Sequence, residues 1–77
     1  MIKEELYAAG KRWRIIAKTF DGEVGYYKLE RRRWYEPDWQ FIEATSYQWY
    51  ADQWIKEKNL KPIMSEAIKV AQESPDE

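Results

Sequence analysis

Thr19, Thr45, Ser46, Ser65 and Ser74 are the only non-phenolic hydroxyls in this chain, and neither histidine nor cysteine accompanies them. A hydroxyl becomes a nucleophile only beside a group that can take its proton, and histidine is the commonest such base. Thr45 and Ser46 also precede a helical pattern, where hydroxyls cap backbone N–H groups instead. Asp21, Glu23, Glu36 and Asp38 could in principle exchange protons, but they sit in or beside predicted loops, where carboxylates are ordinarily solvated. Zinc's usual His and Cys ligands are missing, and no acidic run has the spacing of a calcium loop. Gly22 and Gly25 match neither glycine-rich phosphate fingerprint. The expectation is a protein that is not an enzyme, with no catalytic residue, no metal and no cofactor.

The chain is rich in contact groups instead. Five Trp, six Tyr and two Phe stand among its 77 residues, and such side chains dominate the energetics of cores and binding surfaces. Packing accounts for many of them. Two constellations go further. The first is Arg12, Arg14, Lys18, Lys28 and Arg32 with Tyr26, expected together on one face of a hairpin. Cations neutralise phosphates and rings stack on unpaired bases, so this set would suit DNA or RNA. Its ordinary alternative is a solvated sheet face whose charges deter aggregation. The second is Arg31, Arg32, Arg33, Trp34 and Tyr35 in a loop, with Trp49 on the helix side away from the apolar stripe. These residue types are enriched at protein interfaces. Each has a packing alternative: Trp34 against the sheet edge, and Trp49 under Ile63 and Ile68.

The elements that must carry these residues follow from periodicity and punctuation. Residues 2–9 favour a short helix that Gly10 stops. Residues 11–20 alternate as a strand, with Trp13, Ile15 and Ala17 on one face, and only Ile16 interrupts the basic side. Asp21-Gly22 supplies a tight reversal into a second strand over 24–32. Pro37 marks residues 33–38 as a loop before a third strand over 39–44. Thr45 with Gln48 makes a capping-box pattern for a helix to Lys58, and Asn59 is a left-handed stop. On that helix Tyr47, Tyr50, Ala51, Trp54 and Ile55 share one stripe. Pro62 opens a last helix to Glu73, with Ile63, Met64, Ala67, Ile68 and Ala71 on its apolar side, and 74–77 form a frayed tail. The expected fold is α+β over one domain, residues 1–77. Its three-stranded antiparallel sheet carries C-terminal helices on one face, in (α)βββαα order, and the other face stays open.

Charge is unevenly spread. Residues 11–33 hold eight basic and three acidic side chains, and residues 35–77 hold nine acidic and four basic ones, within a net charge of −1. Such polarity steers association with charged partners. No apolar run is long enough for a membrane span and no signal-peptide core follows Met1. With cysteine absent, a cytoplasmic protein is expected. The βββα order over residues 11–58 is similar to that of the sheet-based DNA-binding domains of some plant transcription factors and phage integrases. That likeness lies in element order alone and implies nucleic-acid binding by a sheet face. The expectation drawn from the residues is a small adaptor or inhibitor, of the compact kind phages and mobile elements encode. It would occupy a surface of a protein partner through the second constellation. Nucleic-acid binding through the first is the alternative, and a homodimer joined at an edge strand or Trp49 is a third reading.

Overall fold

Asp21 and Gly22 sit at φ 53° and 90°. Two consecutive left-handed residues make the primed turn whose twist suits paired strands. The turn joins β2 (Trp13–Phe20) to β3 (Glu23–Arg31), the hairpin expected from the sequence. In the computed structural model, which describes residues 1–63, three further strands extend it. These are β1 (Ile2–Ala9), β4 (Gln40–Thr45) and β5 (Lys61–Pro62), and the antiparallel sheet runs β4-β3-β2-β1-β5. Among the described residues one helix, α1 (Gln48–Lys58), packs on it.

The α+β class and the antiparallel sheet agree with the sequence reading, but five strands and one described helix replace three strands and C-terminal helices. Residues 2–9 form a strand, not a helix, and pair with β2 from Ile2 opposite Phe20 to Ala9 opposite Arg14. An isolated eight-residue helix gains little, because nucleation costs more than its few hydrogen bonds return. As a strand the same residues bury Tyr7 and Ala8. Pro62, expected as the first residue of a helix, lies in a strand instead. Lys61 and Pro62 lie opposite Ala9 and Ala8, and the Ile63 N–H donates to the Tyr7 carbonyl at 2.8 Å. Proline is tolerated there because an edge strand leaves one row of donors unused. The rest of the predicted last helix, with Met64, Ala67, Ile68 and Ala71, lies outside the described residues, as does the 74–77 tail.

The helix follows the expected stripe only in part. Ala51 and Trp54 are buried, Tyr50 and Ile55 are half-buried against them, and Tyr47 is exposed. Tyr47, not Thr45, holds the N-cap position without a side-chain cap, and the Thr45 hydroxyl instead accepts the Tyr47 N–H at 3.1 Å. The expected capping box is therefore absent. Asn59 does end the helix at φ 55°, letting the Leu60 N–H reach the Ile55 carbonyl at 2.9 Å. Leu60 thereby enters the core beside Tyr7, Ile15, Ala17, Tyr27 and Leu29. Tyr7 meets Tyr27 edge to face at 4.9 Å, and its hydroxyl donates to Asp52 on α1 at 2.8 Å.

Two features of this packing give measurable consequences. Gly25 is the extra residue of a bulge, since Lys18 opposes Tyr26 while Thr19 opposes Val24. A Cβ at Gly25 would lie 2.3 Å from Phe20 Cε1, so the ring fills the space glycine leaves. Phe20 is exposed and its ring can swing aside, so Gly25→Val should lower stability by only about 1 kcal/mol, read from the urea midpoint, with part of the loss recovered in Gly25→Val/Phe20→Ala. An equal loss in both chains would mean that the ring is not the obstacle. Burial pushes the Tyr27 phenol above its ordinary pKa, and the nearby Asp52 carboxylate adds to the shift. The fold thus favours the neutral phenol, while the unfolded chain ionises near its usual value of about 10. The corresponding stability is full below that value and is lost as pH rises through the folded pKa. Tyr27→Phe should flatten the fall in melting temperature above about pH 10; an unchanged alkaline slope would exclude Tyr27 as its source.

Candidate functional site

Strand alternation puts Arg14, Ile16 and Lys18 of β2 on the sheet face away from α1. Across from them on the same face stand Tyr26, Lys28 and Glu30 of β3 and Glu4 and Leu6 of β1. This is the open basic face expected from the sequence, but its cations are already engaged. Arg14 Nε donates to Glu30 at 2.6 Å, and Lys28 Nζ donates to Glu4 at 2.9 Å. Lys18 lies 3.9 Å from Glu4, and Lys28 the same distance from Glu30. The hydrogen bond from Lys28 holds the Glu4 carboxyl below its ordinary pKa, and the same bond holds the ammonium above its own. Ile16 is 8% exposed on this face, with Leu6 and Lys28 as its cross-strand neighbours. The interruption in the basic alternation is thus a small apolar patch. Glu30 is readable from the β3 alternation, but Glu4 reaches this face only because residues 2–9 form a strand.

Arg12 and Arg32, the other two members of that constellation, lie at the sheet's end. The Arg32 N–H donates to the Arg12 carbonyl at 2.8 Å, tying the chain before β2 to the chain after β3. Around this link Arg12, Arg31, Arg32, Arg33, Trp34 and Tyr35 line an open concavity of about 270 Å³. Aromatic rings hold several of the guanidinium groups. Arg31 lies over Trp13 at 5.6 Å and Arg32 over Trp39 at 5.0 Å, while Arg14 shares the Trp39 ring at 4.3 Å. Arg33 Nη1 donates to the Tyr35 hydroxyl at 3.0 Å, which holds the guanidinium pKa above its ordinary value. Trp34 meets Tyr35 edge to face at 5.3 Å and is 78% exposed. Cation–π stacking orients a guanidinium without neutralising it. Among the described residues, none of Arg12, Arg31, Arg32 and Arg33 forms an ion pair with a carboxylate. Arg31 Nε is buried and has no hydrogen-bond partner among the described residues.

Trp49 is exposed, as its position opposite the apolar stripe predicts, but it does not join this loop. It stands near the start of α1 in a run of rings, 5.9 Å from Tyr47 and 5.6 Å from Tyr50, and Tyr50 donates to Glu43 at 3.0 Å. The arginine-lined end adjoins the other end of the helix, where Lys58 Nζ sits 4.3 Å above Trp13. Eleven helical residues separate the two ends by roughly 16 Å. Sequence reasoning did not single out Trp13 and Trp39 as site residues. Only Arg32 lies near its ring in the chain; Arg14, Arg31 and Lys58 reach Trp39 and Trp13 from distant segments, so these pairings are set by packing.

Among the described residues there is no helix long and apolar enough to cross a membrane, and no group of three or more His, Cys, Asp or Glu side chains placed to hold a metal ion. No protein-family model, no curated protein and no solved structure matches this chain.

Proposed function

We propose that this chain is a small non-enzymatic binding protein, an adaptor or inhibitor that acts by occupying a surface of a protein partner. The contact surface is the loop end, with Trp34 and Tyr35 as anchors and Arg31, Arg32 and Arg33 as charged partners. Trp49 is a separate second contact. The observation that carries this reading is the contrast between the two charged surfaces. On the sheet face Glu4 and Glu30 engage the cations, whereas the loop arginines stand beside exposed aromatics and, among the described residues, no carboxylate is ion-paired to them, Glu36 acting on Arg33 only at longer range. An unpaired, ring-oriented guanidinium keeps its donors for a partner and loses little freedom on binding. Nucleic-acid binding through Arg14, Lys18, Tyr26 and Lys28 has less support, because phosphates would have to displace internal ion pairs. With no disulfide to form, the chain needs no oxidising compartment, which fits a cytoplasmic location.

The test is capture of a cellular protein by the tagged chain. Wild type is compared with Arg33→Glu/Trp34→Ala at the loop and with Lys18→Gln on the sheet face. Loss of a discrete captured protein in the loop variant alone is the expected result. Equal capture by all three chains, or capture of nucleic acid only, would sink the proposal.

A further inference from the structure

The arginine-lined concavity has a neighbour. Ala9–Trp13 and Lys58–Lys61 line a second open hollow of about 620 Å³, and Arg12 belongs to both. Lys11, Lys58 and Lys61 add their charges to those of Arg12, Arg31, Arg32 and Arg33, and among the described residues neither hollow has an Asp or Glu in its lining. Among the described residues none of these seven cations is ion-paired. Chain segments far apart in sequence supply them: the β1–β2 turn, the end of β3 and the stretch from the helix end into β5.

We propose that the two hollows form one continuous basic track that takes an extended acidic segment of the partner protein, with side-chain carboxylates spread along it. This rests on the protein-partner reading above and names the chemistry of the partner's segment. One carboxylate is matched by a single guanidinium fork, so seven cations without an ion pair among the described residues call for several anions. Their arrangement in two adjoining hollows calls for anions distributed along a chain. A compact phosphate site commonly uses backbone N–H groups at a helix N-terminus. Here α1 ends at Lys58 beside the second hollow, so no helix N-terminus is turned to this side, and the lysines must outweigh the helix's negative pole for any anion bound there.

The experiment is fluorescence anisotropy of a labelled ten-residue peptide alternating glutamate with serine. Its controls are the glutamine version, a four-residue peptide with two glutamates, and a ten-nucleotide single-stranded oligothymidylate. Lys11 and Lys61 are exposed, so Lys11→Glu/Lys61→Glu reverses charge in the second hollow without disturbing the core; circular dichroism checks its fold. The long acidic peptide should bind at low salt and weaken steeply as salt rises. It should lose about tenfold or more in affinity with the glutamine version and with Lys11→Glu/Lys61→Glu. The short peptide should be nearly indifferent to that double change. Binding that ignores Lys11→Glu/Lys61→Glu but is lost in Arg33→Glu/Trp34→Ala would overturn the track while leaving the loop as a contact surface. Binding lost in Lys11→Glu/Lys61→Glu but kept in Trp34→Ala/Tyr35→Ala would support the track and remove the loop aromatics from it. No binding of the acidic peptide, or tighter binding of the oligonucleotide, would overturn the proposal.

Discussion

Trp54→Ala should leave this chain largely unfolded, or within reach of unfolding, at room temperature. Trp54 is 3% exposed and stands in the core with Tyr7, Tyr27, Ala51 and Leu60. Truncating a buried Trp costs about 3–5 kcal/mol in lost transfer energy and residual cavity. Whole domains are stable by only about 5–15 kcal/mol, and small ones lie toward the lower end. Cysteine is absent, so no disulfide offsets the loss. Urea titration followed by circular dichroism reads the effect. Trp49→Ala is the matched control, because Trp49 is 61% exposed, and surface changes of that kind usually fall within about 0.5 kcal/mol. A Trp54→Ala chain with a wild-type midpoint would mean that α1 does not seal the core, and the packing described here would have to be abandoned.

Arg33→Glu/Trp34→Ala should weaken capture of the protein partner by roughly 100-fold or more, since each hot-spot residue of these types is worth about 2 kcal/mol or above. Both side chains are exposed and outside the core cluster, so the folded state should survive. The reversed charge also acts before contact, by lowering the association rate, and that part should fade at high salt. The Trp34 part should not, because apolar burial is unscreened by ions. Surface plasmon resonance at two salt concentrations separates them. Lys18→Gln removes a sheet-face cation and should change affinity little. The reverse ranking, with Lys18 critical and the loop pair silent, would move the contact surface to the open sheet face.

Those two expectations draw on parts of the chain that differ in how far they can be read without a structure. Trp54 was placed on the buried stripe by helical spacing alone, and Trp49 opposite it by the same count. Asn59 as a left-handed stop, Asp21-Gly22 as a hairpin turn and Pro37 inside a loop are likewise local matters. Each depends on the torsions that one or two residues allow. The loop arginines and their aromatics, contiguous from Arg31 to Tyr35, could be named from type and proximity.

Tertiary structure decided where the ends of the described chain go and which charges remain unpaired. Ile2–Ala9 has composition compatible with a short helix, and only the pairing groups offered by β2 make it a strand. Lys61–Pro62 likewise acquires its conformation from the β1 edge. From that non-local pairing follows the position of Glu4 against Lys28, which turns an apparently basic sheet face into a largely compensated one. Arg12 was assigned by alternation to that face, yet its carbonyl's bond to Arg32 helps place it at the sheet's end, between two hollows. The amino-acid sequence by itself determined turns, the helix and which residues are candidates for contact, because backbone torsions and side-chain chemistry are local. Strand partners and net charge per surface belong to the tertiary structure, because hydrogen bonding and electrostatic compensation join residues far apart in the chain.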